Sequence, residues 1–404
     1  MISALMSIYE PAEDSFLLQQ YVKEYATGRV LDLGTGSGIQ AFTAIAKGEV
    51  REVVAVDINT KAVQEMESKI KEEKLRKIKA VRSDLFEHIS GAFNTIIFNP
   101  PYLPQDKGIE DKTLYGGKKG WELIERFFEG VEEHLFPDGI VLLLFSSLTN
   151  KQKVDEIIEQ HLYAAELLGR KKMAFEELYV YKVVKTPLRL EFERRGMEKI
   201  AFFAQGKRGR IFTGRWNKNI TVKSHFSKKE LVKVALKVER EDSIAIERLA
   251  NEAKWLQRLN KEEIGPHFLF AGKNYVGYEF VEGRHIMGWM EKASREEVIW
   301  LLKDVLEQCY LMDKMGVNKE EMHHPVKHIL VNGENRPILI DFERCVQTEH
   351  PQNVTQFVEF WCRIGEVLQK KGIVLAKEKL RQMAKGYKDT LDEAHFQQIL
   401  GMVR

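Results

Sequence analysis

Short apolar runs recur through the first 185 residues: RVLDL (29–33), VVAVD (53–57), IKAVRSD (78–84), NTIIFN (94–99) and GIVLLLF (139–145). They are four to seven residues long, rich in Val, Ile and Leu, and often close on an acidic or amide side chain. Amphipathic stretches such as 60–74 and 120–135 separate them. Runs this short and this continuously apolar read as strands buried on both faces, and their alternation with helical patterns predicts a doubly wound α/β domain with a mostly parallel sheet. ELYVYKVVK (177–185) reads as its final strand.

That domain accounts for less than half of the 404 residues, so a second one is expected. The chain is 44% hydrophobic and 30% charged with 10 prolines, a composition that folds. The apolar run Ile140–Phe145 is far short of the ~20 residues that span a bilayer. The opening MISALMSIYE has no basic segment followed by an apolar one, so neither a membrane anchor nor a secretion signal is expected. Cys309, Cys345 and Cys362 form no CxxC pair, which fits a reducing, cytoplasmic setting and argues against a cysteine zinc site. Charge is uneven: residues 1–185 carry 24 Lys and Arg against 29 Asp and Glu, whereas 186–404 carry 38 against 31. The basic excess, concentrated in 207–240, suits a phosphate-bearing ligand such as ATP or RNA, or equally a solvated lysine-rich surface.

LDLGTGSGIQ (31–40) sets Asp32, Gly34, Gly36 and Gly38 where the first strand turns into a helix. Glycines there let the backbone approach a ligand, and the helix N-terminus favours negative charge. Asp57 and Asp84 end the next two strands, positions for a carboxylate that grips ribose hydroxyls and for one that meets an adenine amino group. Dinucleotide enzymes share such loops. NPPY (99–102) separates the alternatives. Two prolines hold the backbone extended, so the Asn99 side-chain oxygen and the Pro100 carbonyl are both free to accept hydrogens from one NH2 group. Fixing both N–H bonds favours pyramidalisation and frees the nitrogen lone pair for in-line attack on a sulfonium methyl. Tyr102 is placed to pack on the planar substrate group.

With these motifs, residues 1–185 resemble a class I S-adenosylmethionine-dependent methyltransferase of the HemK type. YEPAEDSFLL (9–18) resembles the branch that methylates the GGQ glutamine of class I release factors. The resemblance implies a Rossmann-like fold and cofactor contacts at Pro11, Ser15, Asp32, Gly34, Asp57, Asp84, Leu85 and Asn99, with Gly36 and Gly38 in the same loop. Asn99 would also face the substrate, and GGKKG (116–120) would lie near its entrance. A small zinc-binding activator subunit and a release-factor substrate are implied as partners. The same NPPY holds the amino group of adenine in nucleic-acid enzymes, so an N6-adenine-type RNA or DNA methyltransferase is the alternative.

Residues 186–200 read as a short ordered junction. From 201 onward the pattern changes. IAFFAQGKRGRIFTGRWNKNITVKSHF (200–226) predicts three antiparallel strands, followed by a helix over about 242–260, a strand pair in NYVGYEFVEG and a mainly helical remainder. A hairpin is expected at Asn332-Gly333. This spacing resembles a compact, RIO-type protein kinase, an α+β two-lobed fold. The resemblance puts Gly206, Gly209 and Gly214 in a phosphate-covering hairpin, Lys223 on the third strand opposite Glu252, and EFVEG (279–283) at the hinge. Asp341 of IDFE would meet a metal, with Glu343 replacing the usual glycine. Anchored on Ile329-Leu330-Val331, the catalytic aspartate position falls on His323 and the metal-binding asparagine position on His328, a poor Mg2+ ligand. The expectation is a nucleotide-binding pseudokinase or scaffold that takes ATP with Mg or Mn, with an active atypical Ser/Thr kinase or a translation-linked ATP sensor as alternatives. The histidines 323, 324 and 328 lack zinc-protein spacing, and no resident structural metal is expected.

Overall fold

A computed structural model of the chain describes residues 8–103, 117–206, 209–217, 231–239 and 246–403. The chain forms two units, Met1–Ala201 and Phe202–Arg404. In the first, α1 (Glu13–Tyr25) precedes β1 (Gly28–Leu33), α2 (Ile39–Ile45), β2 (Val50–Asp57), α3 (Thr60–Glu72), β3 (Ile78–Arg82) and β4 (Phe93–Phe98). Then come α4 (Glu122–Gly130), β5 (Leu135–Ser146), α5 (Lys151–Gln160), β6 (Tyr163–Lys172), β7 (Glu177–Lys185) and α6 (Pro187–Arg194).

The seven strands make one sheet in the order β3-β2-β1-β4-β5-β7-β6. Strands β1 to β5 are parallel, and β7 runs antiparallel to both β5 and β6. Both faces are covered, which is why these strands read as continuous apolar runs: Leu31, Leu33, Val54, Val56, Ile96 and Phe98 join one core, and Val30, Val53, Ala55 and Ile97 the other. Leu33 pairs with both Val56 and Phe98, so Gly34, Asp57 and Asn99 follow at one level of the sheet. Open parallel sheets bind ligands at that carboxyl edge.

Strand β6 was not foreseen. YAAELLGRKK alternates poorly because most of it is exposed, and the strand is kept by its register with β7 and by the Tyr21 hydroxyl donating to the Leu168 carbonyl at 3.1 Å. The stretch 186–200 contains α6, which starts on a Thr186 cap with Pro187 in its first turn.

The second unit opens on β8 (Met197–Gln205), inside which the boundary falls, then β9 (Gly209–Asn217), β10 (Leu231–Glu239), α7 (Ile246–Leu259), β11 (Phe268–Ala271) and β12 (Tyr275–Glu279). These five strands form a sheet in the order β11-β12-β10-β9-β8. The rest comprises β13 (Gly283–His285), α8 (Ile286–Met290), α9 (Arg295–Lys314), β14 (Val317–Lys319), β15 (Ile329–Asn332), β16 (Pro337–Leu339) and β17 (Cys345–Gln347). It ends with α10 (Asn353–Arg363), α11 (Gly365–Lys370), α12 (Lys377–Thr390) and α13 (Glu393–Leu400). One core links Leu256 and Leu259 of α7 to Leu302 and Leu306 of α9 and to Phe357 and Trp361 of α10.

Two sequence expectations change here. The third strand of the five-stranded sheet is β10, residues 231–239, paired over nine positions with β9. ITVKSH, assigned to it from sequence, lies outside the described residues together with Lys223. Both segments alternate apolar and polar residues, so periodicity does not choose between them; the pairing does. The hairpin after β15 is real but wider than an Asn-Gly turn. The Asn332 side chain accepts from the backbone of Glu334 and Arg336, and the left-handed residue is Asn335, at φ 62°.

Candidate active site

At the carboxyl edge of the first unit lies a cavity of about 450 Å³, lined among others by Asp14, Ser15, Gly34, Gly36, Asp84, Leu85, Asn99, Pro100 and Tyr102. The loop after β1 forms its floor. Asp32 is buried, and its Oδ2 accepts from the Thr35 hydroxyl at 2.7 Å and from the Ala41 amide at 3.1 Å. Asp57 accepts from the Gly36 amide at 2.9 Å and, through its other oxygen, from Asn59 at 2.8 Å. The two carboxylates thus clamp the glycine turn from either side. Gly38 caps α2 at φ 87°, where an added Cβ would lie 2.2 Å from Met66 Sδ, so only glycine fits. Pro11 precedes α1, half-buried. Leu85 is held at φ 46° in the wall, and Asp84 is bridged to Arg126 at 3.1 Å.

The decisive contact joins residues far apart in sequence. The Asn99 side-chain nitrogen donates to Asp14 Oδ2 at 2.9 Å, while Tyr9 and Ser15 hydroxyls donate to Asp14 Oδ1 at 3.0 and 3.3 Å. This fixes the amide, because only its nitrogen can donate to a carboxylate. Asn99 Oδ1 is left buried without a partner. A buried acceptor left unpaired costs about 1–3 kcal/mol unless a ligand completes it, and Asn99 lines the cavity. Tyr102 is held through its carbonyl by Thr149 at 3.1 Å. Burial pushes the Tyr102 and Tyr9 hydroxyls up, and Asp14 and Glu176 push them further, so both stay protonated. Glu176, in the same wall, has a buried Oε2 without a partner.

The chain matches the "Methyltransferase small domain" family model over residues 11–176. It is 36% identical over 178 residues to a Methanocaldococcus jannaschii protein named for protein N5-glutamine methyltransferase activity, covering 43% of this chain and 89% of that one. Human methyltransferase HEMK2 is 30% identical over 199 residues, 45% of this chain and 92% of its own. The chain belongs to the HemK-type methyltransferase family. Among solved structures, the E. cuniculi Mtq2–Trm112 complex, described as responsible for methylation of the termination factor eRF1, matches with 29% identity and a TM-score of 0.37, covering 45% of this chain and 100% of the matched one.

The chain is therefore an S-adenosylmethionine-dependent methyltransferase, and the cavity suits that cofactor. Gly34 and Gly36 leave the floor open, since a Cβ on either would meet only backbone carbonyls, of Asn99 and of Tyr9, or the Tyr9 Cβ, at 3.5 Å or more. Asp57 lies at the strand end where ribose hydroxyls are gripped in such folds.

Asp14 was missed among the sequence candidates, although it stands within the quoted YEPAEDSFLL; nothing local ties it to a residue 85 positions away. Asp14→Ala is expected to lower kcat by roughly 10–100-fold with cofactor affinity nearly unchanged, because Asn99 loses its fixed orientation while the cofactor floor is untouched. Steady-state kinetics alongside cofactor titration would show this split.

Asp32 makes a pH prediction. Burial pushes its carboxyl up to about 7. In the unfolded chain it loses its proton near pH ~4. The native state thus holds the proton across the window between, and the contribution of Asp32 to stability is greatest below pH ~4 and falls as pH rises to about 7. Asp32→Asn should flatten that decline in the first unit, measured by hydrogen exchange of β1 and β2 amides across pH; an unchanged profile would show that Asp32 does not titrate there.

The second unit assembles another charged cluster. Lys237 of β10 reaches Glu252 of α7 at 2.8 Å, Asp341 at 2.9 Å and Glu343 at 3.4 Å. Lys237 thus makes the contact expected of Lys223 from sequence. Burial pulls its ammonium down, but Glu252 and Asp341 more than offset this and its pKa stands well above the usual lysine value. Asp341 has φ 66°, and burial acts to raise its carboxyl while Lys237 and Lys319 leave it net below the ordinary range. His328 Nδ1 is 3.7 Å from Asp341 Oδ2; burial and Lys319 lower its pKa, so it is neutral at pH 7. His323 is exposed at a short turn, with Nδ1 on the Glu320 carbonyl at 2.7 Å and its own carbonyl held by Arg363. Gly206 donates to the Gly209 carbonyl at 2.9 Å across the first hairpin, and Gly214 lies on β9. Among the described residues no group of three His, Cys, Asp or Glu side chains is arranged to hold a metal, and no helix is long and apolar enough to cross a membrane.

Proposed function

We propose that the first unit methylates the side-chain amide nitrogen of a protein glutamine, that of the GGQ segment of a class I release factor. The observation that carries this is the buried, unpartnered Asn99 Oδ1, whose orientation Asp14 fixes. The names of the M. jannaschii relative and of other HemK-type relatives support glutamine over a nucleobase.

When bound, S-adenosylmethionine supplies an electrophilic methyl group. Asn99 Oδ1 and the Pro100 carbonyl accept the two amide hydrogens, which aims the nitrogen and weakens its conjugation with the carbonyl. Tyr102 packs on the planar amide as a neutral phenol. Glu176 leaves one further acceptor open in the same wall for the substrate chain.

A release factor whose glutamine is replaced by glutamate tests this, because glutamate has the same shape and no N–H. In the presence of the activator subunit implied by the family resemblance, the native factor should take up one methyl group and the glutamate version none. Equal labelling of both, or labelling of RNA or DNA in their place, would reject the glutamine reading.

For the second unit, the reading is a kinase-like, nucleotide-binding domain. The strand order of its sheet, the helix following β10 and the Lys237–Glu252–Asp341 contacts support it. In such folds the lysine–acid pair orients the α- and β-phosphates of ATP and the aspartate meets the accompanying Mg2+.

A further inference from the structure

We infer that Gln40 recognises the cofactor, its side-chain oxygen accepting a hydrogen from the ammonium group at the amino-acid end of S-adenosylmethionine. This rests on the cavity of the first unit being the cofactor site, and it adds a contact that neither the glycine turn nor the strand-end carboxylates supply.

Gln40 is a polar residue on the inward face of its helix. Helix α2 buries Gln40, Ala41 and Ala44, and the two alanines join the core that holds Leu17 and Leu18 of α1. Gln40 itself is 4% exposed. A glutamine so placed gives up the hydration of its amide, which is costly unless both ends of the amide are paired. One end is paired. Its nitrogen donates to the Ser15 carbonyl at 2.8 Å, and because only the nitrogen can donate to a carbonyl, this contact fixes which way the amide points. The other end, Oε1, is buried and has no partner among the described residues. Gln40 and Ser15 both line the cavity.

The oxygen is also held in place. Ser15 lies in the first turn of α1, and α1 is tied to α2 by the Gln19 side-chain nitrogen, which donates to the Thr43 hydroxyl at 2.9 Å. With its nitrogen fixed on one helix and its backbone in the other, Gln40 meets a ligand without first losing side-chain freedom.

Position selects the donor. The cofactor offers hydrogens at three places: the adenine amino group, the ribose hydroxyls and the ammonium. The sheet order β3-β2-β1-β4 sets Asp84, Asp57 and Asn99 in a row, since they follow or end β3, β2 and β4. Gln40 bonds to Ser15, and Ser15 adjoins Asp14, which bonds to Asn99. Gln40 therefore belongs to the Asn99 end of the row, away from the carboxylates suited to ribose and adenine, and the donor left for that end is the ammonium. A neutral oxygen meets it without repelling the carboxylate that the same amino-acid end carries.

Calorimetric titration of the full-length protein tests this with three probes. They are S-adenosylhomocysteine, its analogue with the amino group replaced by hydrogen, and 5′-methylthioadenosine, which keeps adenine and ribose but lacks the amino-acid end. Wild type should bind S-adenosylhomocysteine ~10–100-fold more tightly than the deamino analogue, the range for a hydrogen bond to a charged group. Gln40→Leu, which fills the site without an acceptor, should lose most of that difference while binding 5′-methylthioadenosine within about threefold of wild type. Undiminished discrimination in Gln40→Leu, or wild type that binds S-adenosylhomocysteine and the deamino analogue equally, overturns the inference. A variant that weakens all three probes alike also overturns it, because the loss then lies in the shape of the cavity. Wild type that binds none of the probes overturns the placement of the cofactor beneath it.

Discussion

Asn99→Ala is expected to lower methyl transfer by about 10²–10³-fold, the range seen when one preorganised hydrogen-bonding group is removed from a reacting centre. The fold should be unaffected, because Asn99 Oδ1 bonds nothing within the described residues and the loss of its nitrogen leaves Asp14 still bonded to Tyr9 and Ser15. Cofactor affinity should fall only a few-fold, since the floor built by Asp32, Asp57 and the glycine turn does not depend on Asn99. Single-turnover rates combined with cofactor titration separate the two effects. A variant that keeps transfer within tenfold of wild type would show that the substrate NH2 is not held by this side chain.

The largest expected effect on stability is at Arg189→Leu. Arg189 is 1% exposed and binds Glu193 at 2.9 Å, Glu132 at 3.2 Å and the His161 carbonyl at 2.6 Å, with its guanidinium over the Tyr163 ring. Lys185, also buried, closes the network on Glu193 at 2.8 Å. Leucine would fill much of the volume and strand Glu132 without its cation, and breaking a buried pair in this way costs about 3–5 kcal/mol. Burial already raises the Glu132 carboxyl despite Arg189. In the variant it would rise further, so the folded state would hold the proton over a wider window and the variant should regain stability as pH falls. Hydrogen exchange of β5 and β7 amides in the full chain reads this locally. Glu132→Gln added to Arg189→Leu should restore part of the loss; no restoration would place the cost in packing rather than in stranded charge.

Much of the methyltransferase site was legible because its elements are contiguous. Asp32, Asp57 and Asn99 each lie at or next to the end of a strand, and in a parallel sheet whose register pairs Leu33 with Val56 and Phe98, strand ends are neighbours. What sequence did not disclose depends on contacts between distant segments. Asp14 reaches Asn99 only when α1 meets the end of β4. Strand β6 is exposed on most of its length and carries no burial signal. In the second unit, Lys223 and Lys237 both lie in alternating segments, and only the register of β10 with β9 and the reach of Lys237 to Glu252 distinguish them.

The most direct test of the central claim is to map the transferred methyl group. Wild-type protein, supplied with the activator subunit that the family resemblance implies, methyl-labelled S-adenosylmethionine and a class I release factor, should yield a single modified residue, the GGQ glutamine, with the methyl on its side-chain nitrogen and no product from Asn99→Ala. A methyl group on another side chain of the factor, or on nucleic acid offered in parallel, would contradict the account.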